Sequence, residues 1–166
     1  MSINPLLDLF ISSFTDPTIA DLEGFMASAV NDAGNFELFD EGTGATISSN
    51  RSIFYSGNVA GAFGGNIATD LAHRASEPTR VIDDTKIGRF FGSISIGGAL
   101  DSVIVGESAD VIRGSVPWSG ASKQFADTAK GTVTILLGDT ASKRRVGETH
   151  VFLEHVAFNQ LHSLRL

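Results

Sequence analysis

Apolar residues recur at helical spacing through the first thirty residues and at alternating spacing beyond them. Leu6, Leu7, Phe10, Ile11 and Phe14 share one helical face, and Ile19, Leu22, Phe25, Met26, Ala29 and Val30 share another. Asn4 can cap the first helix, with Pro5 at its first position. Asp16-Pro17 separates the two helices, and Thr18 with Asp21 three residues on resembles a capping box. Gly34 stands where a glycine ends a helix. These signals predict a helical hairpin over residues 1–34.

From Asn35 the period changes to two. Phe36 and Leu38 alternate with Glu37, and the run from Asp40 to Gly44 makes a turn. Residues 45–48, 52–56 and 58–63 read as short strands, with Gly57, Gly61, Gly64 and Gly65 marking bends or close backbone approach. Residues 72–80 read as a long exposed loop. Strands are predicted at 86–96, at 102–105 and 110–116 as one hairpin, and at 132–137 and 147–158 as another. A short helix is predicted at 120–130, with Phe125 its only large apolar residue. The expected fold is α+β: a single domain over 1–166, with a β-rich body at 35–166. That body is an antiparallel sandwich or barrel of about eight or nine strands.

Composition is consistent with a packed core. The chain has 166 residues, 42% of them hydrophobic, including 12 Phe, and it has no cysteine. Disulfides and thiolate metal sites are therefore excluded. No window reaches the roughly 18–20 apolar residues of a membrane span, and Asp8 interrupts the apolar run a secretory signal would need. The sequence-based expectation is a chain made soluble in the cytoplasm. The sequon at Asn50-Arg51-Ser52 has no role without export.

Charge is distributed unevenly. Residues 1–84 hold 12 acidic and 3 basic side chains, whereas residues 85–166 hold 7 and 9, for an overall −7. The acidic balance argues against nucleic acid as a partner. The basic run Lys143-Arg144-Arg145 reads as a hairpin loop able to meet an acidic surface on another copy.

No catalytic or cofactor motif survives inspection. There is no Gly-x-Ser-x-Gly, and Gly42-Thr43-Gly44 lacks both the third glycine and the following helix of a dinucleotide fingerprint. His150, His155 and His162 cannot converge from one strand or one helix, so no metal site is assigned. Asp40-Glu41 and Asp83-Asp84 read as solvated turns. Tyr55 and Trp118, the only Tyr and Trp, each sit beside a Ser-Gly turn and are candidate lining for an apolar ligand pocket. Short pieces at Thr18 to Asp21 and at residues 90–100 resemble secreted haem carriers. The resemblance implies haem as one ligand for a barrel and carries no site residue over.

Three functional readings follow. The first is a non-enzymatic assembly subunit of virion or phage-tail type, joining other copies of itself through Leu6, Phe10, Phe14, Lys143, Arg144 and Arg145, with no cofactor. The second is a β-barrel binding a small hydrophobic ligand near Tyr55 and Trp118. The third is a motif-poor lipocalin-like cyclase or isomerase working near Tyr55, Glu37 and His73.

Overall fold

The computed structural model describes residues 4–59, 61–94 and 98–137. Asn4 caps α1 (Pro5–Ser13) by accepting the Leu7 amide at 3.1 Å, and Pro5 supplies the preset first turn. Thr18 opens α2 (Ile19–Asn31) with a reciprocal box. Its hydroxyl accepts the Asp21 amide, and the Asp21 carboxylate accepts the Thr18 amide at 2.9 Å. Gly34 lies beyond the end of α2, inside the 3-10 turn Ala33–Phe36.

The body is neither a sandwich nor a barrel. Six short strands occur among the described residues, in three two-stranded pairs. Two pairs are antiparallel: β1 (Leu38–Phe39) with β2 (Thr46–Ile47), and β4 (Asn58–Val59) with β5 (Ala62–Phe63). The third is parallel: β3 (Arg51–Tyr55) lies beside β6 (Thr132–Leu136), with Ser52 opposite Val133 and Phe54 opposite Ile135. Residues 132–136 are thus a strand, but their partner lies 81 residues upstream, Arg51 opposite Thr132. The proposed partner at 147–158 lies outside the described residues.

Four more helices follow, of which the last overlaps the short helix expected at 120–130 and the others displace strands or loop expected from the sequence. They are α3 (Gly64–Arg74), α4 (Lys86–Gly92), α5 (Ala109–Gly114) and α6 (Trp118–Asp127). Over 86–96 the apolar residues fit two periods at once. Ile87, Phe90, Phe91 and Ile94 sit at i, i+3, i+4 and i+7, and all four are buried. Helix wins because the Thr85 hydroxyl accepts the Gly88 amide and because α1 packs on the resulting stripe. The hairpin expected over 102–116 is instead a turn followed by α5, which Ser108 caps and which buries Ile112. The loop expected over 72–80 is helical to Arg74, and it ends at an Arg80 that is 1% exposed.

Arg80 extends the parallel pair into a third line. Its amide donates to the Arg51 carbonyl at 2.9 Å, and its carbonyl accepts the Ile53 amide at 2.8 Å, in parallel sense. The order across the sheet is therefore Arg80, β3, β6. From β3 the chain crosses through α3 to reach Arg80 on one side, then returns through later helices to β6 on the other.

Both faces of β3 are covered by helix. Ile53 packs with Ala68 and Ala72 of α3 and with Val81. Phe54 faces the opposite way, into the main core, with its ring 5.0 Å from Phe125 of α6. That core continues through edge-to-face phenylalanines, Phe10 to Phe25 at 5.2 Å and Phe25 to Phe90 at 5.4 Å. A fully buried side chain of this size contributes about 1.5–3 kcal/mol. None of the described helices is long and apolar enough to cross a membrane.

Candidate functional site

A parallel strand buried on both faces exposes only its ends, and the strand order selects one end. Where successive connections leave a strand toward opposite sides, their helices part and open a crevice at the carboxyl ends. Here the carboxyl ends of β3 and β6 lie side by side, tied together by the Ser56 amide donating to the Leu136 carbonyl at 3.1 Å. After Ser56 the chain turns at Gly57, which has φ +58°, runs through the β4–β5 hairpin and enters α3.

Glycine at the start of α3 is a steric requirement. A Cβ on Gly64 would sit 2.8 Å from the Gly57 carbonyl oxygen. One on Gly65 would sit 3.0 Å from the Tyr55 hydroxyl oxygen and against the Phe63 ring. The first turn of α3 thus lies directly on Tyr55, the last residue of β3. No side chain caps this turn, and the Gly64 amide is taken by the Gly57 carbonyl at 2.8 Å. The next amides, on Gly65 and Asn66, belong to the set a helix cannot satisfy internally.

Tyr55 donates its hydroxyl hydrogen to Asp83 Oδ2 at 2.6 Å and meets Phe63 edge-on at 5.7 Å. Burial pushes the phenol well above its ordinary value of 10.0, and the Asp83 carboxylate pushes it in the same direction. The phenol is therefore a fixed neutral donor across the neutral pH range.

The remaining residues singled out by sequence occupy separate places. Trp118 opens α6 and packs edge-on against Phe91 at 4.9 Å, so it belongs to the packing between α4 and α6. Leu6 and Phe10 are buried in the chain's own core, and Phe14 packs partly buried against it. Lys143, Arg144, Arg145, His150, His155 and His162 lie outside the described residues. Tyr55, Glu37 and His73 have three different partners. Tyr55 meets Asp83, Glu37 lies 3.9 Å from Arg80 Nη1, and His73 Nε2 lies 2.9 Å from Asp84. No group of three or more metal-binding side chains occurs among the described residues.

Asp40 keeps the role of a solvated turn, accepting amides from Gly42 and Thr43. These bonds, with the Thr43 hydroxyl, hold its carboxyl below the ordinary value. Asp83 and Asp84 do not fit that role. Each binds a specific partner, and the Asp84 side chain is only 10% exposed. Their sequence signal was Val81-Ile82 just before them, an apolar pair that pulls the turn inward.

Together these features define a mixed α/β unit whose parallel strands are covered by helix on both faces. No family model, no curated protein and no solved structure matches the chain.

Proposed function

We propose that this is a small-molecule-binding α/β domain whose ligand sits at the carboxyl ends of β3 and β6. The observation that carries the reading is the strand order, Arg80–β3–β6, which makes β3 the point where successive connections diverge. The first turn of α3 adds two amide donors at that end, on Gly65 and Asn66, and the helix dipole favours an acceptor or anionic group there. Tyr55 forms the wall of the crevice, held by Asp83. The ligand is a small polar molecule, the class that the two amide donors at that end favour.

Amide NMR on the labelled full chain, titrated with inorganic phosphate, acetate and glycerol, tests the reading. The expected result is saturable shifts clustered on Ser56, Gly57, Gly65 and Asn66, larger for the anions than for glycerol. Shifts scattered elsewhere, or none, would refute it.

Self-association is a second reading, supported by the outer face of α1. Leu9 and Ile11 are 53% and 45% exposed on either side of the stripe of Leu6 and Phe10, which serves the chain's own core. Light scattering at several protein and salt concentrations tests it, and a monomer throughout would end it.

A further inference from the structure

A cleft opens beside the segment that leads to Arg80, between the β1–β2 hairpin and the end of α3. It has a volume of about 360 Å³, within the range of small-molecule sites. Its apolar wall includes Leu38, Phe39 and Ile47 from the β1–β2 hairpin, and its polar groups include His73, Asp84 and Arg89. These three form one chain. Asp84 accepts His73 Nε2 on Oδ2 at 2.9 Å and Arg89 Nη2 on Oδ1 at 3.0 Å. Arg89 Nη2 also meets Glu41 at 3.0 Å.

The geometry points to a general-base site at His73, serving an uncharged ester. The argument starts at Asp84. A carboxylate with a 10% exposed side chain that accepts Nε2 fixes the neutral imidazole with its hydrogen on that nitrogen. Nδ1 is then left as the base, and 61% exposure of the ring keeps it accessible to water. Arg89 is held at the other oxygen of the same carboxylate, which places a fixed cation on the cleft wall where an oxyanion can develop.

Charge selects the substrate. Glu41, Glu77 and Asp84 line the cleft against Arg89 and against Arg51, which pairs with Glu77 at 2.9 Å, and the one carboxylate in excess disfavours an anionic substrate relative to an uncharged one. In the step, His73 Nδ1 takes a proton from water as the water oxygen bonds to the acyl carbon. The acyl–oxygen bond then breaks, the proton on His73 passes to the leaving alkoxide, and the carboxylic acid so formed releases its remaining proton to solvent. The products are a carboxylate, which the acidic wall expels, and an alcohol.

Hydrolysis of p-nitrophenyl acetate by the full chain tests this inference. Wild type is expected to show saturable turnover. His73→Gln should lower kcat/KM about 100-fold, while His150, His155 and His162 remain as internal controls. Asp84 is a positioning residue. Asp84→Asn should lower kcat with little change in KM, and should shift the His73 imidazole tautomer seen by nitrogen NMR. His73 is exposed, so His73→Gln is expected to fold, with circular dichroism as the check. Non-saturable hydrolysis, or a His73→Gln variant with the wild-type rate, would overturn the inference. The crevice between β3 and β6 takes no part in this assay, so the two sites stand or fall separately.

Discussion

Replacing Arg80 by methionine removes the most heavily bonded side chain described in this fold. The guanidinium is 1% exposed. Its Nε and Nη2 donate to the Ser52 hydroxyl at 3.2 and 3.1 Å, and Nη1 donates to the Phe36 carbonyl at 3.0 Å. Thr128 accepts two more bonds, on its hydroxyl at 3.3 Å and on its carbonyl at 2.9 Å. The plane also lies over the Phe125 ring, 5.1 Å from its centre. Burial holds this cation below its ordinary value, and Glu37 works in the opposite direction. Methionine matches much of the volume, so the loss is chiefly polar. It strands two carbonyls and leaves Glu37, whose Oε2 is already buried without a hydrogen-bond partner among the described residues. Removing one partner of such a network costs about 3–5 kcal/mol. For a chain of this length that lowers Tm by about 6–20 °C. Lysine fares little better, since one ammonium cannot span Ser52, Phe36 and Thr128 together. Thermal and urea unfolding followed by circular dichroism measure the change. Adding Glu37→Leu to Arg80→Met should recover part of it, because no buried carboxylate is then left unpaired. An Arg80→Met Tm within about 2 °C of wild type, or a double variant no more stable than the single, would refute the reasoning.

Other consequences are equally direct. Gly88→Ala sets a Cβ onto the Ile82 carbonyl, a backbone obstacle, and should destabilise the fold by at least 1–3 kcal/mol in urea unfolding, roughly the cost of overpacking. Tyr55 is the single tyrosine, so ultraviolet titration of the phenolate reads it alone. The folded chain should show no tyrosine ionisation near pH 10, and Asp83→Asn should move the titration down toward the ordinary value. Because this folded-state value is raised, the phenol's contribution to stability is complete below pH 10 and falls as pH rises through the unfolded-state value. Bonds from Thr18 depress Asp21, so its contribution is present above the ordinary carboxylate range and is lost as pH falls through the depressed value. The stability gap between wild type and Asp21→Asn should therefore close in acid. Phe54→Ala opens a cavity against Phe125 and should cost about 3–5 kcal/mol by urea unfolding.

The sequence by itself determined the local starts and stops. Asn4, Pro5, Thr18 and Asp21 act within one turn of their own positions, so α1 and α2 were legible with their caps. The strand at 132–136 and the helix containing Phe125 were legible from their own residue patterns. Tertiary structure decided the rest. The run at Ile87, Phe90, Phe91 and Ile94 satisfies a helical and a strand pattern alike, and only packing against α1 separates them. The partner of β6 depends on which surfaces are buried, and strand pairing at long range leaves no trace in either strand's own residues. Arg80 shows the difference most clearly. A charge beside Glu77 and Pro78 reads as loop, yet Ser52, Phe36 and Thr128 reach it from elements 28, 44 and 48 residues away and make its burial possible. The candidate site was half legible. Tyr55 stood out by its rarity, but Asp83 and Asp84 gained their roles only when the 3-10 turn Ile82–Asp84 carried them to the end of β3 and to α3, respectively. Local chemistry acts through the residue and its near neighbours, whereas burial and partnership are properties of the folded whole.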